Sequence, residues 1–570
     1  MRRGIIAAGV LGVLLACGVA QAFYLDEGQS IQVTGKVFTQ ASFRTVASDS
    51  SGVSCYPFGA NCQGFTFPDT RGGQLIQHRN LLDLEMYHNV AKGLGPQFTL
   101  LDQLGYRLRV KWFYDGVYDY GPRGYSHAGA TAMAANPIFA DNILGPGLRK
   151  NRDLDTQKDP LWNAYVDLGK GPVKFRIGRQ DLSWGESDGF RLLDMIEPLD
   201  NRFGFPLVED LDDRRIPLWM VRPTVRLGSW GHLRNLTLDG YWVPGSIDNE
   251  IAPVSPVGNP FGVGAPPGPS EVIRPSKNLG NSRGGGRLIG TAGDVTFSLA
   301  HYVTFNDIPS VRLKADGLAI APLGGDQSLF APNGSFLVEL YQQQITGGSA
   351  TFALPFDPYT IIRMEAANFW DERVFMPDKS VSAALPADKV GACIGGFFHD
   401  GTRFCPDVKG VGELPTKDVM RWMIGADRNV WIRWLNPENT FFFSAQYFHS
   451  HIFDYQKGIA NAVPSNTHFV PLPQAPGINT TTFDWVSRME DEFTFTYLIN
   501  TLVYHGTIQP QVFGLYDARG VNGVVPSISY QYGSNLVLTM KYAVTRGTLA
   551  GLGFFRDRDQ LLFRVQYNLS

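Results

Sequence analysis

Alternation of apolar and polar residues, repeated in segment after segment, is the feature that most constrains how this chain can fold. In "YRLRVKWFYDG" (106–116), Tyr106, Leu108, Val110, Trp112 and Tyr114 alternate with Arg107, Arg109, Lys111 and Phe113. Successive side chains of a strand point to opposite faces, so the segment has one apolar face and one largely cationic face. In "IQVTGKVFTQASFRT" (31–45), Ile31, Val33, Val37, Ala41 and Phe43 oppose Gln32, Thr34, Lys36, Gln40, Ser42 and Arg44. "LLDLEMYHNV" (81–90) sets Leu82, Leu84 and Met86 against Asp83, Glu85 and Asn89. "VKFRIGRQ" (173–180) sets Val173, Phe175 and Ile177 against Lys174, Arg176 and Gln180. Segments 535–544 and 561–569 repeat the pattern. Helical stripes are scarce, so the chain reads as all-β.

Spacing narrows the reading further. Strands are expected near 31–45, 78–91, 105–117, 161–169, 173–180, 218–228, 235–243, 286–292, 294–305, 336–354, 359–370, 419–434, 440–449, 489–504, 508–517, 524–532, 535–545 and 559–569. The gaps mostly alternate between long (46–77, 118–160, 181–217, 244–285, 306–335, 371–418, 450–488) and short ("KGP" at 170–172, "PFDP" at 355–358, "NPEN" at 436–439, "GS" at 533–534). Long external loops alternating with short periplasmic turns, and an even count of about 18 strands (16–18), are the signature of a transmembrane antiparallel β-barrel. The Pro/Gly-rich stretch 244–285 then reads as one long irregular loop.

In such a barrel the cationic face lines the lumen. Arg107, Arg109, Lys111, Lys174 and Arg176 are expected there, with Asp83 and Glu85 on a neighbouring strand. Tyr106, Trp112 and Tyr114 fit an aromatic girdle at the lipid interface.

The first residues fit export. Arg2 and Arg3 precede an apolar run from Gly4 to Ala16, and Ala20-Gln21-Ala22 forms a small-x-small cleavage site. Residues 1–22 read as a signal peptide and 23–570 as a single barrel domain. Leu14-Leu15-Ala16-Cys17 also resembles a lipoprotein signal, which would lipidate Cys17. After Ala22 there is no apolar run near the roughly 18–20 residues of a membrane helix. The remaining cysteines, Cys55 with Cys62 and Cys393 with Cys405, form two close pairs, an expected pair of disulfides in an oxidising compartment. The formal charge of -3 gives no basic excess for nucleic acid, and no haem or zinc-finger spacing occurs. No cofactor is expected.

Three motifs bear on chemistry. "GESDG" (185–189) matches G-x-S-x-G with Ser187 as nucleophile, and "FRLLDMI" (190–196) can form the short helix such an elbow requires. The chain lacks the βαβ alternation that this motif needs, so an outer-membrane hydrolase is a minor alternative. His449 and His451 share a strand face without a third metal ligand nearby. "EDLDDRR" (209–215) lacks an EF-hand glycine, and charge pairing in a polar pocket is the preferred reading over calcium.

The richest stretch is 181–217 with the residues just before it. Arg179, Asp181, Glu186, Asp188, Arg191, Asp194, Asp200, Arg202, Asp212, Asp213, Arg214 and Arg215 are mixed there with Trp184, Phe190, Phe203 and Phe205. An 18-strand barrel leaves an aqueous lumen unless something fills it. The segment is therefore expected to fold inward as a plug, its charges pairing with the wall and its aromatics forming a greasy patch toward the transported compound. An ordinary solvated external loop is the alternative.

"RIGRQDLSWGESDGF" with "PLDNRFG", "WIRWLNPENTFFFSAQYFH" and "DEFTFTYLINTLVYHGTIQP" resemble the DUF1302 family of Gram-negative outer-membrane proteins across nearly the whole mature chain. The resemblance implies a large barrel in outer-membrane lipid. It also implies export of a hydrophobic or lipidic cargo, alongside an RND-type exporter and a LolA-like periplasmic carrier. It carries over no catalytic residue. A general porin for small hydrophilic solutes is the rival within the same architecture.

Overall fold

A computed structural model describes residues 23–46, 72–122, 160–201, 204, 207–253, 261, 270–313, 318–320, 329–330, 336–380, 403–405, 413–471, 479–548 and 551–569. Eighteen strands form one closed antiparallel barrel. In chain order they are β1 (Ile31–Arg44), β2 (Leu75–Asn89), β3 (Gln103–Asp115), β4 (Leu161–Lys170), β5 (Val173–Gln180), β6 (Leu218–Trp230), β7 (Leu233–Val243), β8 (Arg283–Ala292) and β9 (Val295–Phe305). Then follow β10 (Gln342–Leu354), β11 (Asp357–Arg373), β12 (Thr416–Val430), β13 (Phe441–Ile452), β14 (Asp491–Thr501), β15 (Ile508–Asp517), β16 (Val521–Tyr532), β17 (Leu536–Gly547) and β18 (Gln560–Leu569). Each strand pairs with the next. β18 closes on β1, with Gly35 opposite Leu569 and Arg44 opposite Gln560. Closure removes the free sheet edges that would otherwise template aggregation.

Alternation sets the two faces. Leu84, Leu108, Val110, Trp112, Phe175, Ile177, Met364, Ile424, Phe493, Val524, Met540, Phe563 and Val565 are exposed on the outside. Gln40, Arg44, Asp83, Lys111, Glu365 and Gln446 are buried on the inside. The largest apolar patch on a typical soluble monomer is about 300–600 Å². A continuous apolar belt around a closed sheet with charges inside is instead the pattern of a membrane barrel.

The connections mostly segregate by length, although 90–102, at the end of the short turns, is long. The turns at 171–172, 231–232 and 293–294 each open on a glycine in the left-handed region (φ 56°, 60° and 60°), where a Cβ would be strained. The opposite end carries the long connections, with one exception, the three residues 518–520 between β15 and β16.

Three details depart from expectation. Residues 336–354 are not one strand. Only Gln342–Leu354 enters the barrel, while Phe336–Glu339 pairs with Ser310–Leu313 and Ser270–Ile273 in a separate small sheet. The break falls where the Tyr341 hydroxyl accepts N–H bonds from Asn306 (2.9 Å) and Arg373 (3.0 Å) and so ties the chain to the rim. The stretch 244–285 is accordingly not wholly irregular. Tyr114 is buried, its hydroxyl on Asp119 (3.0 Å), because the helix Val117–Tyr120 turns back over it. Trp112 does stand exposed on the outer face.

Candidate functional site

The segment leaving β5 turns into the barrel. Trp184 is buried edge-on to Tyr241 and Tyr302 (ring centroids 5.3 and 5.5 Å), and its Nε1–H donates to Asp239 on β7 at 3.2 Å. The chain then crosses to β11, four strands further round the barrel. There the carboxylate of Glu365, on β11, accepts the amides of Glu186 (2.6 Å), Ser187 (3.1 Å) and Leu193 (2.6 Å). Gln446 on β13 accepts the Asp188 amide (3.1 Å), and Arg363 on β11 holds the Asp188 carboxylate (2.6 Å) and the Glu186 carbonyl (2.7 Å). Gly347 makes this approach possible. A Cβ there would sit 2.8 Å from Leu193 Cδ2 and 2.2 Å from the Ala366 carbonyl oxygen.

On the way back the segment builds a buried charge cluster. Arg191 reaches Asp307 (2.5 Å) and the Glu197 carbonyl (2.6 Å), while Arg215 binds Asp194 and also Glu197 (3.2 Å). Burial, then the neighbouring Asp194, push the Glu197 carboxyl up to about 8, against the pull of Arg215 and Arg191. Burial likewise raises Asp307 in spite of Arg191 and Arg214.

The last leg meets the remaining wall. Lys36 of β1 (3.2 Å) and Lys111 of β3 (3.1 Å) converge on Asp213. Burial alone would raise that carboxyl, but Lys111 and Lys36 hold it well below the usual carboxylate range. Arg79 of β2 (3.7 Å) and Arg564 of β18 (3.6 Å) flank Glu209, which also accepts the Gln40 amide (2.7 Å). Lys541 of β17 donates to the Val208 carbonyl (3.0 Å). The segment thus touches inward-facing residues around the circumference of the barrel.

The expected wall residues lie on the inner face, most of them already paired. Arg107 meets Glu85 (3.4 Å), Arg109 meets Asp83 (2.6 Å) and Arg176 meets Asp167 (2.7 Å); Lys174 shares the face of Arg176. Arg179 donates to the Leu161 carbonyl, Asp181 accepts from Asn163 (2.6 Å), Arg214 donates to Asn201 (3.1 Å), and Asp212 is exposed beside Arg215 (3.3 Å). Arg202, Phe203, Phe205, Cys55, Cys62 and Cys393 lie outside the described residues, as does the side chain of Cys405.

Two of the four aromatics expected in a greasy patch face the wall instead. Trp184 turns to the wall, and Phe190 packs on Phe448 (5.2 Å), because apolar rings gain more from the wall core than from an aqueous lumen. Residues 190–196 are not helical, so the elbow geometry is missing, and the buried Ser187 Oγ has no hydrogen-bond partner. His449 and His451 share the outer face and both bond Asp491 (2.9 Å each). Among the described residues no group of three or more His, Cys, Asp or Glu is arranged to hold a metal.

Sequence reading missed Glu365, Asp239, Gln446, Arg363, Arg79 and Arg564, while Glu209 pairs as the charge reading of 209–215 expected. A signal existed for Glu365, the only charge in the largely apolar run "MEAANFW".

The family model described as protein of unknown function, DUF1302, matches residues 3–569. The chain belongs to the DUF1302 family. Comparison with curated proteins finds no match. Among solved structures, this DUF1302 chain resembles Acinetobacter baumannii OccAB4 at 10% identity and TM-score 0.43, covering 95% of this chain and 99% of that one. It resembles Pseudomonas aeruginosa OccK5 (OpdH) at 10% identity and TM-score 0.41, covering 95% and 98%. A loop L8 deletion mutant of the Vibrio cholerae outer membrane protein OmpT aligns at 9% identity and TM-score 0.32, covering 94% and 98%.

Proposed function

We propose that this protein spans the outer membrane of a Gram-negative bacterium as a conduit whose permeability is set by residues 181–217. The observation that carries the reading is the placement of that segment. It lies inside a closed barrel with an apolar exterior, held at Asp239, Glu365, Gln446, Asp213 and Glu209 by inward-facing groups from opposite walls. A barrel of this strand number leaves an aqueous channel unless something narrows it, and the inserted segment is placed to narrow this one.

The cargo class follows the family resemblance: a hydrophobic or lipidic compound, delivered by a periplasmic carrier and an RND-type exporter. The paired charges of the lumen wall favour a second reading, a porin for small hydrophilic solutes. Replacing residues 187–210 by a short Gly/Ser bridge tests the conduit. Cells carrying the deletion become sensitive to bulky antibiotics that intact cells exclude. Unchanged sensitivity, with the deleted protein folded and present in the outer membrane, overturns the reading.

A further inference from the structure

The inner wall of β3, β5 and β6 breaks a rule of sheet chemistry. Arg176 on β5 stands directly opposite Arg222 on β6, both on the inner face. Like charges in direct cross-strand register repel, and side chains in that position lie only about 4.5–5.5 Å apart at Cβ. Yet each guanidinium is clamped rather than splayed. Asp167 takes Nε (2.7 Å) and Nη2 (3.2 Å) of Arg176. Asp239 takes Nε (2.9 Å) and Nη2 (2.9 Å) of Arg222. Side-on pairing of this kind leaves the Nη1 amino group clear of the carboxylate in both residues.

The same construction extends along the wall. Tyr165 lies between two cations, with Arg176 over its ring at 4.1 Å and Arg107 at 5.8 Å. The buried Arg107 Nε has no hydrogen-bond partner, and Glu85 is at 3.4 Å. Lys174 lies on the same face as Arg176. Asp239 serves Arg222 and, at 3.5 Å, Arg287, so one carboxylate faces two guanidiniums. The face holds rigid, fork-shaped donors, a geometry suited to a carboxylate or phosphate.

We propose that this face is a binding site for a carboxylate or phosphate group, centred on Arg176 and Arg222 and extended by Arg107 and Lys174. The like-charge pair is stabilised when an anion bridges the two Nη1 groups. The role of the site rests on the conduit reading, in which the anion is the head of an amphipathic cargo. The site itself rests on the wall geometry alone. Asp239 also holds Trp184, so the head group sits beside the inserted segment.

The test is calorimetric titration of the full chain in lipid nanodiscs with octanoate, acetate and 1-octanol, empty discs serving as background. Octanoate binds more tightly than octanol, whose chain is the same and whose head is neutral. Acetate separates the two sources of the anion. Acetate weaker than octanoate supports the site and assigns it to an amphiphile; acetate equal to octanoate supports the site and assigns it to free small anions. The double variant Arg176→Gln/Arg222→Gln binds octanoate at least about tenfold more weakly, the scale of one lost charge-assisted pair. The corresponding double Lys variant, which keeps the charge without the fork, falls between. If the Gln double variant does not fold, Arg107→Gln/Lys174→Gln carries the test, because it leaves no deeply buried carboxylate unpaired, and it weakens octanoate in the same direction. Octanoate binding no tighter than octanol, or equal binding by wild type and variants, overturns the proposal. If deletion of 187–210 leaves cells impermeable while octanoate still binds, the conduit reading fails and the site stands.

Discussion

Glu365 receives three backbone amides of the inserted segment on one carboxylate, and Asp213 receives two lysines from the far wall. Removing a buried acceptor costs more than a net hydrogen bond is worth, because each stranded donor keeps its desolvation penalty of about 1–3 kcal/mol. Glu365→Ala therefore loosens the segment, with the amides of Glu186, Ser187 and Leu193 exchanging about 10²-fold faster, the scale of 2–3 kcal/mol of local opening. Glu365→Gln, which keeps an acceptor oxygen, has a milder effect; equal exchange in wild type and Glu365→Ala contradicts the assignment. Glu197 and Asp213 act with opposite signs, and Asp307, raised by burial, acts in the sense of Glu197. Glu197 is raised to about 8, so the folded chain holds a proton that the unfolded chain releases near 4.5, and stability falls as pH rises between those values. Asp213 is held below 3.8, so its contribution is present above that pH and is lost as pH falls further. Limited proteolysis across pH 3–9 should show the segment cut more readily at both extremes. Glu197→Gln weakens the alkaline arm, of which Asp307 keeps a share, and Asp213→Asn, which leaves Lys36 and Lys111 unbalanced, removes the acid one.

At the scale of the element, side-chain parity on β3 is the sharpest test. Val110 faces outward and its neighbours Arg109 and Lys111 face inward. Val110→Arg places a cation against hydrocarbon and costs about 2–4 kcal/mol near the bilayer midplane. Urea unfolding in vesicles measures this, and no loss of stability for Val110→Arg would mean that β3 presents the other face to lipid. The long connections bear a second expectation: mass spectrometry of unreduced peptides should find Cys55 linked to Cys62 and Cys393 to Cys405. Strand positions and faces were legible because a period of two is written locally; Arg107, Arg109 and Lys111 show their common face to anyone reading eleven residues. That 181–217 is unlike an ordinary loop was legible too, in its mixed charges and aromatics. Its partners were not. Glu365 lies more than 170 residues from the amides that it accepts, and nothing local to "GESDG" points to it. The orientation of Trp184 was misread for the same reason, since Tyr241, Tyr302 and Asp239 come from β7 and β9, far along the chain.

At the scale of the whole molecule, closure of β18 on β1 turns a set of local alternations into an inside and an outside. The inside then holds charges in pairs, since a buried charge is tolerated where it has a partner. Folding should be visible as heat-modifiable migration, with the unboiled protein running faster than the boiled one on SDS gels, and as a β-rich spectrum in detergent. A helical spectrum would contradict the architecture. The central claim is that residues 181–217 fill an otherwise conducting barrel, and single-channel recording in planar bilayers addresses it most directly. The intact protein should conduct weakly, and the variant with residues 187–210 replaced by a Gly/Ser bridge should conduct severalfold more. Equal conductance from two correctly folded proteins would contradict it.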